Sequence, residues 1–530
     1  MSAADAATAR SHRRQQISWL GAALGVLVLA AAWRLYLLMG LDLSDLPGPG
    51  GVQFLALALD TTPGDPPLPA LVYRWAIVLS GLEPVPASQL LGVGSSVLGI
   101  AGAMAATWAL LGRHAAIATG LLLACWAQHL QQALLVGMGA PACALAWTGL
   151  GLAWWGSRIA PRGLPLTLLG AALVALGAGL KPTALPVLAL LAFVPLLSWR
   201  PWWSALASTA AAGLGVIAGR AALAPFATAS PDIQTTLPAV GDVVSGWTLL
   251  ASHRQSEPEG ALLELAIFGA GMALVPGKHQ LRRLLLLAAS AALLGYASHS
   301  LGDWLRFRYL VPAALGCFVL AGDGLGRFAR WLPRFRALAW VPLATVCTLL
   351  SLDALAFHQA WSDARTPVVG TAVHSLPPVP TAWTWRYLDL HWDSSLSTQG
   401  AASLMALVRQ APEAGVAVLP LQDGRHSHAE AAAAIAGVPI VLLEEQRCCP
   451  TDQHAVLCAR ETLAALERVG ASVVLLPRSH NQGRVPRANF SWVQSIQGAA
   501  WGHYDVQDHD SWWATLETHG TAGPLPCSTR

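Results

Sequence analysis

The sequence predicts a mainly α-helical protein that crosses a membrane many times and ends in a soluble α/β domain. Of its 530 residues, 54% are hydrophobic and only 12% are charged, whereas soluble globular domains carry about 25% charged residues. Apolar runs of bilayer-spanning length recur through the first two thirds of the chain. After residue 358 these runs stop, and short apolar segments alternate with helical patterns.

Eleven apolar runs are long enough to span a bilayer. The first follows Arg10, Arg13 and Arg14 and has no small-residue cleavage site after it, which indicates a retained helix rather than a signal peptide. The pairs of runs over 115–156 and 164–199 are each nearly continuous, so each pair could be divided into two spans at other positions. The runs are 17–39, 88–112, 115–134, 135–156, 164–180, 182–199, 203–226, 260–276, 281–298, 308–326 and 337–357.

The charges of the connecting loops predict the orientation. If the N-terminus is cytoplasmic, every inside connection is basic, as the positive-inside rule requires. These connections contain Arg113; Arg158 and Arg162; Arg200; Lys278, Arg282 and Arg283; and Arg327, Arg330, Arg334 and Arg336. The sequence therefore predicts a cytoplasmic tail (1–16), a transmembrane domain (17–358) with a long outer loop (40–87), and an extracytoplasmic domain (359–530). The net charge of +3 is spread over the chain, which argues against nucleic-acid binding.

The C-terminal region alternates strand-like and helical segments. Strands are expected at Val416–Leu419, Ile440–Leu443 and Ala471–Leu476, with helices at His426–Ala436 and Ala455–Gly470. Such βαβ alternation predicts a small three-layer α/β domain with a parallel sheet.

The cysteines divide between the two regions. In the apolar runs they are expected to be small core residues. In the outer domain one or two disulfides are expected, with Cys448 or Cys449 bonded to Cys458 or Cys527, because adjacent cysteines rarely bond each other. The spacing there lacks the short pairs typical of zinc sites. The cysteines within the runs are Cys125, Cys143, Cys317 and Cys347.

Four polar groups fall at the outer face of this topology. Acidic residues in the first outer loop could bind a divalent cation or act as a general base, or they could be solvated turn formers. Lys181 could bind a phosphate or snorkel from a helix end. Arg306 and Arg308 oppose the positive-inside bias and so call for an anionic partner, either a lipid phosphate or Asp303. The polar run Gln128–Gln132 could line a cavity or join helices. The acidic residues are Asp42, Asp45, Asp60 and Asp65.

The order of short motifs resembles that of the GT-C-type membrane glycosyltransferases, in particular the branch of protein O-mannosyltransferases and lipid A aminoarabinose transferases. Asp45 is followed by a Pro-Pro-Leu segment that leads into a juxtamembrane helix, over Asp65–Trp75. Lys181 lies in Leu-Lys-Pro-Thr, and Arg308 and Tyr309 lie in Arg-Tyr-Leu-Val-Pro. The resemblance covers about residues 17–358.

This resemblance implies transfer of a sugar from a polyprenyl-phosphate donor to a lipid, glycan or protein acceptor, at the outer face of the cytoplasmic membrane. Asp45 would be the catalytic carboxylate of an inverting displacement, with Asp42 and Asp65 in reserve. Lys181, Arg308, Tyr309 and Arg306 would bind the donor phosphate, and no metal ligand is assigned.

An alternative is an inactive member whose outer domain binds a partner or glycan. The sequence Asp45-Leu46 favours this alternative, because the family has an acidic pair there. A transporter is disfavoured, because no internal repeat is evident.

Overall fold

The computed structural model describes most of the helical region and the cores of five C-terminal strands. The described residues are 3–39, 58–59, 67–134, 137–197, 202–226, 240–253, 261–277, 279–302, 307–331, 338–363, 416–418, 440–442, 473–477, 503–508 and 513–519. The chain divides into two compact units. One consists of Met1–Leu41, Gln89–Trp361 and Val373–Leu390, and the other of Asp42–Ser88, Ser362–Ala372 and His391–Arg530.

Fifteen α-helices are described, and short 3₁₀ turns lie between some of them. They are α1 (Ala3–Met39), α2 (Leu68–Ser80), α3 (Pro84–Leu110), α4 (Arg113–Cys125), α5 (Ala127–Leu134), α6 (Gly139–Arg158), α7 (Leu164–Leu180), α8 (Pro186–Ala189), α9 (Val194–Leu197), α10 (Trp202–Leu223), α11 (Val240–His253), α12 (Leu262–Leu274), α13 (Gln280–Leu301), α14 (Leu315–Trp331) and α15 (Val341–Asp363).

Several helices have the length and lipid-facing surface of membrane spans. Among the described residues, Ser18–Met39, Pro84–Leu110, Trp202–Phe226 and Gln280–Leu301 are each long and apolar enough to cross a bilayer unaided. Shorter apolar helices, including α4, α7 and α12, accompany them. Large apolar side chains such as Leu24 and Ile217 are mostly exposed, which suits a lipid environment rather than water. The total of eleven spans and their orientation stay predictions.

Three of the expected spans are not single helices. The run 308–326 begins in a 3₁₀ turn and becomes α-helical only at Leu315. The run 115–134 is interrupted at Trp126, whose extended backbone (φ −72°, ψ 121°) separates α4 from α5. The axis of α5 then meets that of α6 at 118°. The run 182–199 is described to Leu197 and consists of short α and 3₁₀ pieces, because Pro182 and Pro186 remove backbone donors that a continuous helix needs.

Glycines at a seven-residue spacing join α6 to α7. A Cβ atom added at Gly177 would lie 2.7 Å from the carbonyl oxygen of Ala142, and one added at Gly149 would lie 2.5 Å from that of Gly170. The two backbones therefore touch directly, which is the packing that small residues allow in membranes. This helical hairpin carries Arg158 at one end and Lys181 at the other. Its glycines are Gly149, Gly156, Gly163, Gly170 and Gly177.

A buried ionic cluster ties α12, α13 and α14 together. Asp323 Oδ2 lies 2.9 Å from Arg283 Nε and 2.6 Å from Arg327 Nη2, and all three side chains are at most 6% exposed. Both arginines also donate to the carbonyl of Val275, directly after α12. One carboxylate thus holds two guanidinium groups, and the cluster carries one net positive charge.

The C-terminal strands form one mixed sheet in the order β2-β1-β3-β5-β4. β1 (Val416–Val418) pairs in parallel with β2 (Ile440–Leu442) and β3 (Val473–Pro477), at the three places that the sequence predicts. β5 (Trp513–His519) then adds antiparallel to β3, and β4 (His503–Asp508) adds antiparallel to β5. The sheet is therefore mixed rather than purely parallel. The expected helices and all four cysteines of this region lie outside the described residues, so the layered domain and its disulfides stay predictions.

Candidate functional site

Lys181 is held at the point where α7 ends. Residues before proline are restricted to extended conformations, and Lys181 has φ −149° and ψ 120° ahead of Pro182. Its amide still donates to the carbonyl of Gly177 at 3.1 Å. The backbone therefore fixes the position from which the Lys181 side chain starts.

The Lys181 ammonium contacts the ring of Tyr309. Its Nζ atom lies 4.9 Å from the ring centroid, which is within the range of a cation–π interaction. Tyr309 belongs to the 3₁₀ turn Phe307–Tyr309, which is anchored by the buried side chains of Phe307 and Leu310. The structure thus joins two motifs that lie 128 residues apart in the sequence.

Helix α5 packs against the same 3₁₀ turn and against α6. All eight of its residues are buried, although four of them are polar: Gln128, His129, Gln131 and Gln132. The Cys143 thiol of α6 donates to Gln132 Oε1 at 3.5 Å. The glutamines, Lys181 and Tyr309 therefore converge on one end of the bundle, which we call the site end.

The arginines of the ionic cluster lie at the opposite end of the bundle. Helix α7 runs from Leu164, close to Arg158, to Leu180, beside Lys181. Its 17 residues correspond to about 25 Å at 1.5 Å per residue. Helix α14 likewise begins after Tyr309 and carries Arg327 near its far end. The site end is therefore separated from the arginine-rich end by roughly the thickness of a bilayer core.

The architecture has counterparts among solved structures. ArnT from Cupriavidus metallidurans bound to undecaprenyl phosphate superposes with a TM-score of 0.54 at 15% sequence identity, over 94% of this chain and 99% of that one. The apo form of the same protein gives 0.52 at 15% identity, over 95% and 100% of the two chains. This chain has the GT-C fold. The resemblance seen in the motifs is thereby confirmed at the level of the fold.

The Archaeoglobus fulgidus oligosaccharyltransferase in complex with Zn and sulfate shows a weaker likeness to this chain. The TM-score is 0.44 at 14% identity, over 93% of this chain and 73% of that one. No family model matches the sequence, and no curated protein matches it.

The GT-C bundle buries a further charge, Arg34 of α1, beside α5. Its Nε atom donates to Ser96 Oγ at 2.7 Å, and Nη2 lies 2.9 Å from His129 Nδ1. Nη1 donates to the carbonyls of Ala30 and Ala124, at 3.1 and 3.2 Å, and Nη2 lies 3.5 Å from that of Leu123. The carbonyls of Leu123 and Ala124 belong to the last turn of α4, where helical donors run out. Arg34 therefore caps α4 at the break that produces α5.

Arg34 also sets the proton position on His129. A guanidinium group offers only donors, so Nδ1 of the imidazole must accept from Arg34 and the ring proton is assigned to Nε2. Nε2 lies 3.4 Å from Ser96 Oγ, which completes a closed network of three buried side chains. Sequence reasoning did not find this network. The sequence did contain a signal for it, namely the single charged residue Arg34 inside the first apolar run. A charge within a membrane span is energetically costly and therefore points to a specific role.

The described structure covers only part of the predicted site. Lys181 and Tyr309 come together, and Arg308 lies in the same 3₁₀ turn, although its side chain is outside the described residues. The other predicted site residues also lie outside them: Asp42, Asp45, Asp65 and Arg306. Within the described part, no group of three His, Cys, Asp or Glu side chains is arranged to hold a metal ion. The four cysteines of the helices are free thiols, and three of them are buried as expected.

Proposed function

We propose that this protein is a membrane glycosyltransferase that moves a sugar from a polyprenyl-phosphate donor to an acceptor at the outer face of the cytoplasmic membrane. The observation that carries the proposal is the contact between Lys181 and Tyr309 at the site end of a GT-C bundle. ArnT, which shares this fold, binds undecaprenyl phosphate. The chain would consist of the cytoplasmic tail 1–16, the transmembrane domain 17–358 and the extracytoplasmic domain 359–530.

Lys181 and Tyr309 would bind the donor phosphate together with Arg308 and Arg306. An ammonium is a compact point charge with three donors, and it forms strong, charge-assisted hydrogen bonds to phosphate oxygens. The ring of Tyr309 stabilises the ammonium weakly, by about 0.5–2 kcal/mol. A bound phosphate would therefore attract the ammonium more strongly than the ring does. The same charge would stabilise the phosphate as it leaves.

The chemistry is a single displacement at the anomeric carbon of the donor sugar. The acceptor oxygen forms a bond to this carbon while the bond from the carbon to the phosphate oxygen breaks, so the configuration inverts. The proton of the acceptor hydroxyl passes to a carboxylate, and the electron pair of the broken bond stays on polyprenyl phosphate. Asp45 is the proposed base, and Asp42 and Asp65 are the reserves. The acceptor would be a lipid, a glycan or a protein.

The two lysines of the chain provide a matched test of the phosphate site. Lys181 belongs to the site end, whereas Lys278, the only other lysine of the sequence, follows α12 and precedes α13 in the chain. We expect Lys181→Ala to weaken the binding of undecaprenyl phosphate by about tenfold to a hundredfold, as loss of a charge-assisted hydrogen bond predicts. Lys278→Ala should leave the affinity unchanged. Binding is measured by titrating the purified full chain in phosphatidylcholine nanodiscs.

Amine acylation of the wild-type protein supplies a second readout. Undecaprenyl phosphate should protect Lys181 from an acylating reagent and leave Lys278 reactive. In sealed vesicles, a membrane-impermeant reagent should reach Lys181 from the outer face. Equal affinities for the two alanine variants, or labelling of Lys181 from the cytoplasmic side, would refute the proposal.

An inactive GT-C-fold protein whose outer domain binds a partner or glycan is the second candidate. The sequence Asp45-Leu46 favours it, because the related enzymes have an acidic pair there. In that case Asp45→Asn would leave function unchanged, and deletion of residues 359–530 would abolish it. If the protein is an enzyme, we expect Asp45→Asn to abolish sugar transfer from polyprenyl-phosphate donors, measured with membrane-inserted protein.

A further inference from the structure

A second polar feature occupies the end of the bundle opposite the site end. It consists of Arg158, Arg282, Trp19, Trp108 and Trp155, which we call the arginine–tryptophan cluster. The ring centroids of Trp19 and Trp108 lie 3.9 Å apart, and those of Trp108 and Trp155 lie 4.5 Å apart. The Arg158 guanidinium carbon lies 5.8 Å from the centroid of Trp155. Indole rings of this kind are enriched at membrane–water boundaries.

Backbone carbonyls hold both arginines at the C-terminal end of α3. Arg158 Nη1 donates to the carbonyls of Trp108 and Ala109 at 3.1 and 3.4 Å, and Arg282 Nη1 donates to that of Leu110 at 3.3 Å. These are the last carbonyls of the helix, which lack helical donors and carry its negative dipole end. The two guanidinium groups are therefore held in fixed positions. An arginine at a membrane surface without such backbone partners would have no fixed orientation.

The two arginines of the cluster are not neutralised by any carboxylate in the part of the chain that the structure describes. Arg158 and Arg282 donate to successive carbonyls at the end of α3, so two like charges lie close together there. Arg283, next in sequence to Arg282, belongs to the ionic cluster, where two arginines share Asp323. Asp323 is thus already shared by two arginines, and the described residues leave Arg158 and Arg282 available to an anion from outside the chain.

The neighbouring residues identify this anion as a lipid. Ile159, next to Arg158, is 43% exposed, and Leu281, next to Arg282, is 67% exposed. Exposed aliphatic side chains beside fixed arginines fit the boundary between acyl chains and headgroups rather than an aqueous pocket. Basic pockets between transmembrane helices on the cytoplasmic side are a known form of headgroup recognition.

We propose that the arginine–tryptophan cluster binds the phosphate headgroup of an anionic phospholipid, in the leaflet opposite the donor lipid. The phosphate oxygens bridge Arg158 and Arg282, the tryptophans line the headgroup level, and the acyl chains cover Ile159 and Leu281. This site lies about one bilayer thickness from Lys181 and does not depend on the proposed transfer reaction. It would join α3, α6 and α13 through a lipid as well as through the carbonyl contacts.

The test compares phosphatidylglycerol with phosphatidylcholine, titrated onto the purified full chain and counted by native mass spectrometry. We expect the wild type to prefer phosphatidylglycerol, and Arg158→Gln or Arg282→Gln to weaken that binding about fivefold each and about thirtyfold together. Arg220→Gln is the matched control, because Arg220 is an exposed arginine in the last turn of α10. Its affinity should equal that of the wild type.

Arginine modification in the wild-type protein keeps the test independent of variant folding. A dicarbonyl reagent should modify Arg158 and Arg282 more slowly in phosphatidylglycerol than in phosphatidylcholine, with Arg220 unaffected by the lipid. Inorganic phosphate added at the same phosphate concentration should not give this protection. Equal protection by inorganic phosphate, equal binding of the two lipids, or unchanged binding by the double variant would each overturn the proposal.

Discussion

Replacing Arg34 by methionine should destabilise the helical bundle by about 3 kcal/mol. Methionine keeps much of the side-chain volume but removes all five donors of the guanidinium group. The carbonyl of Ala30 lies within α1 and also accepts a helical hydrogen bond, so losing its bond from Arg34 costs little. Ser96 Oγ also loses Arg34 as a donor, but His129 Nε2 still lies 3.4 Å from it. Three acceptors are left buried without a donor: the carbonyl of Leu123, the carbonyl of Ala124 and Nδ1 of His129. Hydrogen bonds within membrane proteins contribute about 0.6–1.7 kcal/mol each, so three of them give about 2–5 kcal/mol.

The free energy of unfolding is measured by titrating sodium dodecyl sulfate into mixed micelles and following the loss of helical circular dichroism. Arg220→Met is the matched control, because Arg220 is exposed and should change the stability by less than about 0.5 kcal/mol. The variant pair Arg34→Met and His129→Phe should show a coupling energy of about 0.5–3 kcal/mol, since the two side chains share a contact. A stability of Arg34→Met within error of Arg220→Met would refute the view that Arg34 caps α4.

Three further predictions concern the ionic cluster, the helical hairpin and the site end. Asp323→Asn should lower the free energy of unfolding by about 3–5 kcal/mol, because its two arginine partners would stay buried without a carboxylate; the same detergent titration measures this, and an unchanged midpoint would contradict it. Gly170→Leu should loosen the hairpin and increase its protease cleavage, because the new side chain would meet backbone atoms, whereas Gly213→Leu enters open space and should resist cleavage like the wild type. Tyr309→Leu should change the acylation rate of Lys181 by about twofold to thirtyfold, since it removes the cation–π contact, and Tyr309→Phe should keep the wild-type rate; equal rates for all three proteins would show that the ring does not act on the ammonium.

Much of the helical architecture could be predicted because membrane spans leave a strong local signal. The run 17–39 lies within α1, and the run 88–112 corresponds closely to α3, since a lipid-facing helix must be apolar for its whole length. The three strands of the parallel part of the sheet were also predictable from short apolar runs between turn residues. The helix after Pro67 was readable from its motif. These features depend on neighbouring residues alone.

The interruptions and the added strands could not be predicted in the same way. Trp126 breaks an apolar run because Arg34, 92 residues earlier in the chain, supplies the donors that the helix end requires. β4 and β5 each show only a short apolar–polar alternation, at Tyr504 and Val506 and at Ala514 and Leu516, and only the sheet establishes that both strands add to β3. The contacts that decide both features, Arg34 with the end of α4 and β5 with β3, join residues that lie far apart in the sequence.

The sequence by itself determined that lipid surrounds much of this protein, because the scarcity of charged residues and the length of the apolar runs can both be read directly from it. It also determined where charges are concentrated, since each basic loop can be read directly. Only the tertiary structure decided which polar residues meet: Lys181 with Tyr309, Arg34 with His129, and Arg158 and Arg282 at one helix end. The physical reason is that buried polar groups must satisfy one another in a medium without water, and helix packing chooses the partners.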